Sequence, residues 1–213
     1  MKNIKVKVCG ITDFKDASIA VELGADALGF IFADSPRQIN PQKARDIIRT
    51  IPPFVTTVGV FVDEGLAEIR EVVHDCGLDL VQLHGDEPPD LCHELMPYAI
   101  KALRIKNEAS LRISRTYHGN VRALLLDTYS IDMAGGTGKT FDWQLAGKIK
   151  KLGIPIILAG GLGPSNIVDA IRTAQPYAVD INSGVEERPG KKSHILMKDL
   201  MEKVKRFNAN LAT

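Results

Sequence analysis

The stretch IPIILAGGLGPSNIVDAIRTAQPYAVDINSGVE, residues 154–186, decides the fold. An apolar run from Ile154 ends in glycines, a helical pattern follows, and a second apolar run from Tyr177 again ends in glycine. That order is one strand, helix, strand unit of a parallel sheet. The same alternation recurs on either side. Strands are expected in IKVKVC from Ile4, DALGFIF from Asp26, FVTTVGVFV from Phe54, LDLVQLH from Leu78, YAIKALRI from Tyr98 and VRALLLD from Val121, with IPIILAG and YAVDIN completing the set. Helices are expected near 14–23, 41–50, 64–76, 88–96, 108–116, 142–151, 164–174 and 193–207. Eight repeats, roughly 19–33 residues apart, fit a closed (β/α)8 TIM barrel of the phosphate-binding type better than a doubly wound sheet of five or six strands. Asp13 and Pro41 stand where helices should start, Pro88 suits a first helical turn, and Gly24 and Gly77 follow helices where a left-handed residue is wanted.

A chain of 213 residues with 45% hydrophobic and 25% charged residues is expected to bury one core, so residues 1–213 read as one domain. A net charge of +1 points to neither a nucleic-acid nor a membrane-surface partner, and an anionic ligand would need locally placed donors. Cys9, Cys76 and Cys92 match no zinc site or disulfide framework and read as reduced thiols. The N-terminal MKNIKVKVCG has the alternation of a strand, not the apolar run of a signal peptide, and no segment is long and apolar enough for a membrane span. A cytoplasmic protein, monomer or homodimer, is expected.

Barrel chemistry sits at the C-terminal ends of the strands. After the seventh strand comes LAGGLGPSN, Leu158 to Asn166, and after the eighth INSGVE, Ile181 to Glu186. In these loops Gly160, Gly161, Gly163 and Gly184, with Asn182 and Ser183, are the candidates for binding a phosphate through backbone N–H groups. AGGTGKTF from Ala134 ends like a P-loop, but the first required glycine falls at Met133, so a lid over the barrel mouth is the better reading.

Strand parity puts Lys5, Lys7 and Cys9 on one face and Ile4, Val6 and Val8 on the other, so Cys9 should point inward at the mouth. Asp127 shares parity with Ala123 and Leu125 and should also face the barrel centre. The first and sixth strands flank the seventh and eighth, which puts the phosphate loops between thiol and carboxyl. Lys7 and Asp180 share inward parity on neighbouring strands and are expected to pair. His84 is a candidate for lining the mouth, Asp63 for capping the next helix, and Cys76 and Cys92 for packing within helices. An aldolase using Lys7 or Lys101 as a Schiff-base amine is the rival enzyme, and a non-catalytic phosphate-ligand sensor the rival of another class.

VKVCGIT (Val6 to Thr12), GFIF, SPR, VGVF, VQLHGDE, LLLD, GGTGKTFDW, LAGGL and DINSGVE together resemble the phosphoribosylanthranilate isomerase family over nearly the whole chain. The sequence departs from the S-S-G-V-E form of the last motif at Asn182. The resemblance implies an Amadori rearrangement of N-(5-phosphoribosyl)anthranilate in tryptophan biosynthesis, with Cys9 as general base, Asp127 as general acid and Arg37 as partner of the anthranilate carboxylate. It implies no cofactor and no metal, because the iminium formed on ring opening is the electron sink. An ordinary thiol ionises near pH ~8.5 and an Asp near ~3.9, so a depressed thiol or a raised carboxyl is expected. Phosphate-loop dipoles would favour the thiolate and the apolar strand around Leu124 to Leu126 the neutral acid.

Overall fold

Strands β1 (Lys5–Val8), β2 (Ala27–Ile31), β3 (Thr56–Phe61), β4 (Leu80–Leu83), β5 (Ala99–Arg104), β6 (Ala123–Asp127), β7 (Ile156–Ala159) and β8 (Ala178–Ile181) pair in sequence order and close, β8 upon β1. All eight pairings are parallel. The computed structural model describes residues 3–105, 109–127 and 143–210, so the expected lid around Ala134 lies outside the described residues. The TIM barrel of the sequence reading is what is found.

Alternation along the strands builds two apolar layers. Val58, Ile100, Ala102, Ala123, Leu125, Ile157, Ala159 and Ala178 fill the barrel interior. Residues of opposite parity, such as Val8, Leu28, Leu124, Leu126, Leu158 and Val179, point outward and join the larger core under the helices. Those helices are α1 (Phe14–Glu22), α2 (Pro41–Ile48), α3 (Leu66–Cys76), α4 (Pro89–Glu94), α5 (Ala109–Thr116), α6 (Trp143–Ile149), α7 (Ile167–Ala174) and α8 (His194–Ala209).

The caps act largely as the sequence requires. Asp13 accepts from the Asp16 amide at 2.9 Å, and Asn40 caps α2 from the position before Pro41. Gly24 and Gly77 take left-handed φ of 91° and 73°. Asp63 differs from expectation: Gly65 is the N-cap of α3, and the Asp63 carboxylate accepts instead from the Asp86 amide across the β4 loop at 2.7 Å. The seventh helix starts at Ile167, later than expected, because Asn166 accepts from the Gly163 amide and donates to the Gly161 carbonyl, which holds 161–166 as a loop.

One element was not expected. Beyond β8 a 3-10 turn, Ser183–Val185, leads into an antiparallel hairpin of β9 (Glu186–Arg188) and β10 (Lys191–Lys192). The hairpin is fixed to α1, since the buried carboxylate of Asp16 accepts from Lys191 Nζ at 2.7 Å and from the Lys192 amide at 2.9 Å.

Candidate active site

The C-terminal mouth of the barrel holds a cavity of about 370 Å³. Cys9, just beyond β1, reaches it because its amide donates to the Ile181 carbonyl of β8 at 2.8 Å, extending the closing pair by one residue. The thiol lies over Gly29 of β2, where a Cβ would stand 2.7 Å from Sγ. Asp127 enters from the end of β6, paired in register with Arg104 and Ala159. Gly160, Gly161, Ser183 and Gly184 form the corner between them. Gly160 and Gly161 have φ of 89° and 62°, a left-handed turn that side-chain-bearing residues resist.

Of the residues expected here, Cys9, Asp127, Arg37, His84, Asp180, Asn182, Ser183, Gly160, Gly161 and Gly184 all line the cavity. Gly163 does not. Its N–H is taken by the Asn166 side chain, and it packs against Gly184, where a Cβ would run into the Leu162 carbonyl oxygen. Gly163 stands where the two loops approach each other closely. Lys7 lies just beneath, ion-paired with Asp180 at 3.0 Å as parity required.

The electrostatics depart from one expectation. Burial is the largest influence on Cys9 and pushes its thiol up, against the lowering charges of Lys7 and Lys192. A depressed thiol is not what the structure shows. Burial also raises Asp180 despite Lys7. For Lys7 burial acts downward, but the charges of Asp180 and Cys9 prevail and raise it. On the other side of the cavity, Gln82 Nε2 stands 3.0 Å from His84 Nδ1, and His84 Nε2 stands 3.3 Å from Asp127 Oδ2. With the amide donating, His84 carries its proton on Nε2 and donates to Asp127.

Arg37 is not a bare cation. Its Nε donates to Glu186 at 3.0 Å and its Nη2 at 2.7 Å, and Lys192 Nζ donates to the same carboxylate at 2.9 Å. Burial acts to raise Glu186, but these hydrogen bonds outweigh it and hold the carboxyl below its ordinary value. Neither Glu186 nor Lys192 was expected, since only the glycine-rich part of INSGVE signals a ligand. Lys101, the other Schiff-base candidate, is buried below the β4 loop, where its ammonium donates to Glu87 and to the carbonyls of Leu83, Gly85 and Ala102. Cys76 and Cys92 lie in α3 and α4 as expected, and burial pushes Cys92 up to about 11. No group of metal-ligating residues is found among the described residues.

A closed parallel barrel with a thiol and a carboxyl flanking two glycine loops at its C-terminal mouth defines a (β/α)8 enzyme of the phosphate-binding type. Residues 6–203 match the family model described as N-(5'-phosphoribosyl)anthranilate isomerase. The chain belongs to this family, and it is an isomerase of tryptophan biosynthesis. The isomerase of that name from Geobacter sulfurreducens is 49% identical over 203 residues, covering 95% of this chain and 98% of that protein. A crystal structure of phosphoribosyl anthranilate isomerase with reduced 1-(o-carboxyphenylamino)-1-deoxyribulose 5-phosphate is 40% identical, with a TM-score of 0.86 over 95% of this chain and 99% of that one. A structure of monomers generated from the dimeric Thermotoga maritima isomerase is 39% identical, with a TM-score of 0.85 over 95% and 99%.

Proposed function

We propose that Asp127 and Cys9 are the general acid and base with which this isomerase converts N-(5'-phosphoribosyl)anthranilate to 1-(2-carboxyphenylamino)-1-deoxyribulose 5-phosphate. The observation that carries this reading is the placement of thiol and carboxyl on one cavity, on either side of the glycine corner. A phosphate held by the backbone of Gly160, Gly161, Ser183 and Gly184 puts the attached sugar between them, and Arg37 receives the anthranilate carboxylate at the far end.

Asp127 protonates the ring oxygen, the C1–O bond breaks, and the anthranilate nitrogen lone pair forms the iminium. Cys9, as thiolate, takes the proton from C2, and that electron pair neutralises the iminium to give an enolamine. Loss of the enol hydroxyl proton and protonation of C1 give the ketose. The iminium accepts the electrons, so the reading needs no cofactor. Because burial raises Cys9, the reactive thiolate is a minor species near neutrality, and the ammonium groups of Lys7 and Lys192 are what sustain it.

One domain spanning residues 1–213 and a cytoplasmic location complete the reading. No helix among the described residues is long and apolar enough to cross a membrane. A homodimer is the assembly favoured by the dimeric Thermotoga maritima relative. The test generates the substrate in situ from anthranilate and phosphoribosyl pyrophosphate and follows loss of its fluorescence. Rapid loss with the native chain, and loss of turnover in both Cys9→Ala and Asp127→Asn, is the expected result. Near-native turnover in both variants overturns the assignment.

A further inference from the structure

The hairpin β9–β10 brings a fully buried ammonium to the edge of the cavity. The Lys192 side chain has no exposed surface, and its Nζ donates to Glu186 Oε1 at 2.9 Å and to Asn182 Oδ1 at 2.8 Å. The Glu186 side chain, 4% exposed, in turn takes the Nε and one Nη of Arg37. A Glu–Arg pair alone is neutral, and an anion approaching Arg37 would also meet the Glu186 carboxylate in a site where water screens little. With Lys192 the three side chains carry one net positive charge.

We propose that Lys192 is a positioning residue for the substrate carboxylate: its ammonium neutralises Glu186, so that Arg37 stays locked by that carboxylate yet presents a net positive charge to the cavity. The proposal rests on the assignment of Arg37 as the carboxylate partner. Other contacts hold the hairpin without this ammonium, namely Lys191 on Asp13 and Asp16, the Lys192 amide on Asp16, and Thr12 Oγ1 on the Gly190 carbonyl. A methionine at 192 can occupy the channel of the lysine stem.

The experiment measures KM and kcat for phosphoribosylanthranilate in Lys192→Met, Glu186→Gln, the double variant and Arg37→Met. KM is the readout, because the Lys192 charge also acts on Cys9 and its loss there falls on kcat. Lys192→Met should raise KM about tenfold or more. The double variant regains the net charge of Arg37 alone, and its KM should return to within about threefold of native. Glu186→Gln keeps a side-chain oxygen that accepts from Arg37 while removing the negative charge, so it should not raise KM. An unchanged KM in Lys192→Met, or a double variant as poor as Lys192→Met, overturns the proposal. If Lys192→Met does not fold, a raised KM in Glu186→Gln overturns it and a native or lower KM supports it. Unchanged KM in Arg37→Met removes the underlying assignment as well, whereas raised KM there with unchanged KM in Lys192→Met removes only the role of Lys192.

Discussion

At Cys9 burial and charge oppose each other, and the adjacent ammonium of Lys7 is the larger of the two counterweights. Lys7→Met removes it, so the thiol should ionise at higher pH than in the native chain. Thiolate absorbance, taken as the difference from the same variant lacking Cys9, measures that midpoint; a midpoint that stays or falls would contradict the electrostatic account. Below the midpoint the thiolate fraction falls about tenfold per pH unit, so kcat near neutrality should fall with it. Gly29 acts on the same atom by volume. A Cβ there would stand 2.7 Å from Cys9 Sγ and 3.0 Å from Lys7 Nζ, so Gly29→Ala must displace the thiol or the ammonium. Lower kcat with an intact circular dichroism spectrum is expected, and native kcat would show that the thiol's position is not critical.

Among the elements, the loop after β7 and the 3-10 turn after β8 touch backbone to backbone. Gly184→Ala would set a methyl group against the Leu162 carbonyl and push the two loops apart. Inorganic phosphate, used as a competitive inhibitor, should bind more weakly to this variant, and an unchanged inhibition constant would separate the contact from phosphate binding. The eight barrel strands were legible because each is an apolar run bounded by turn residues, and the inward residues followed from parity alone, Lys7 with Asp180 included. The hairpin was not legible. EER and KK have no apolar periodicity, and a lysine that ends up fully buried looks in sequence like any solvated one. Glu87 escaped notice for the same reason, and Lys101, singled out as an amine, was not expected to be buried against it. The packing of Gly163 on Gly184 was not legible, because a glycine that lets two backbones meet and a glycine that lets a ligand approach are the same letter. Asp63 misled by proximity, since Gly65 takes the cap and the β4 loop takes the carboxylate.

Over the whole molecule, stability depends on carboxylates held by cations. Glu87, Glu186 and Asp13 all lie below their ordinary values of 4.5 and 3.8, each held there by lysine, arginine or backbone hydrogen bonds that outweigh burial. Such groups contribute stability that is fully present above those values and lost as pH falls through the depressed ones. Asp180, raised by burial, runs the other way and blunts the effect. The urea midpoint should therefore hold from neutrality to about pH 5 and drop steeply below pH 4, and a midpoint that rises on acidification would refute the sign. Breaking the buried Lys101–Glu87 pair with Glu87→Ala should cost about 3–5 kcal/mol by urea denaturation, since it strands an ammonium in the core. Closure of the ring also imposes an order in time. A chain made from its N-terminus delivers Lys7 and Cys9 well before Asp180, which lies 173 positions beyond Lys7. The nascent chain must carry Lys7 and Cys9 on an open sheet edge until β8 leaves the ribosome and closes the ring over that edge.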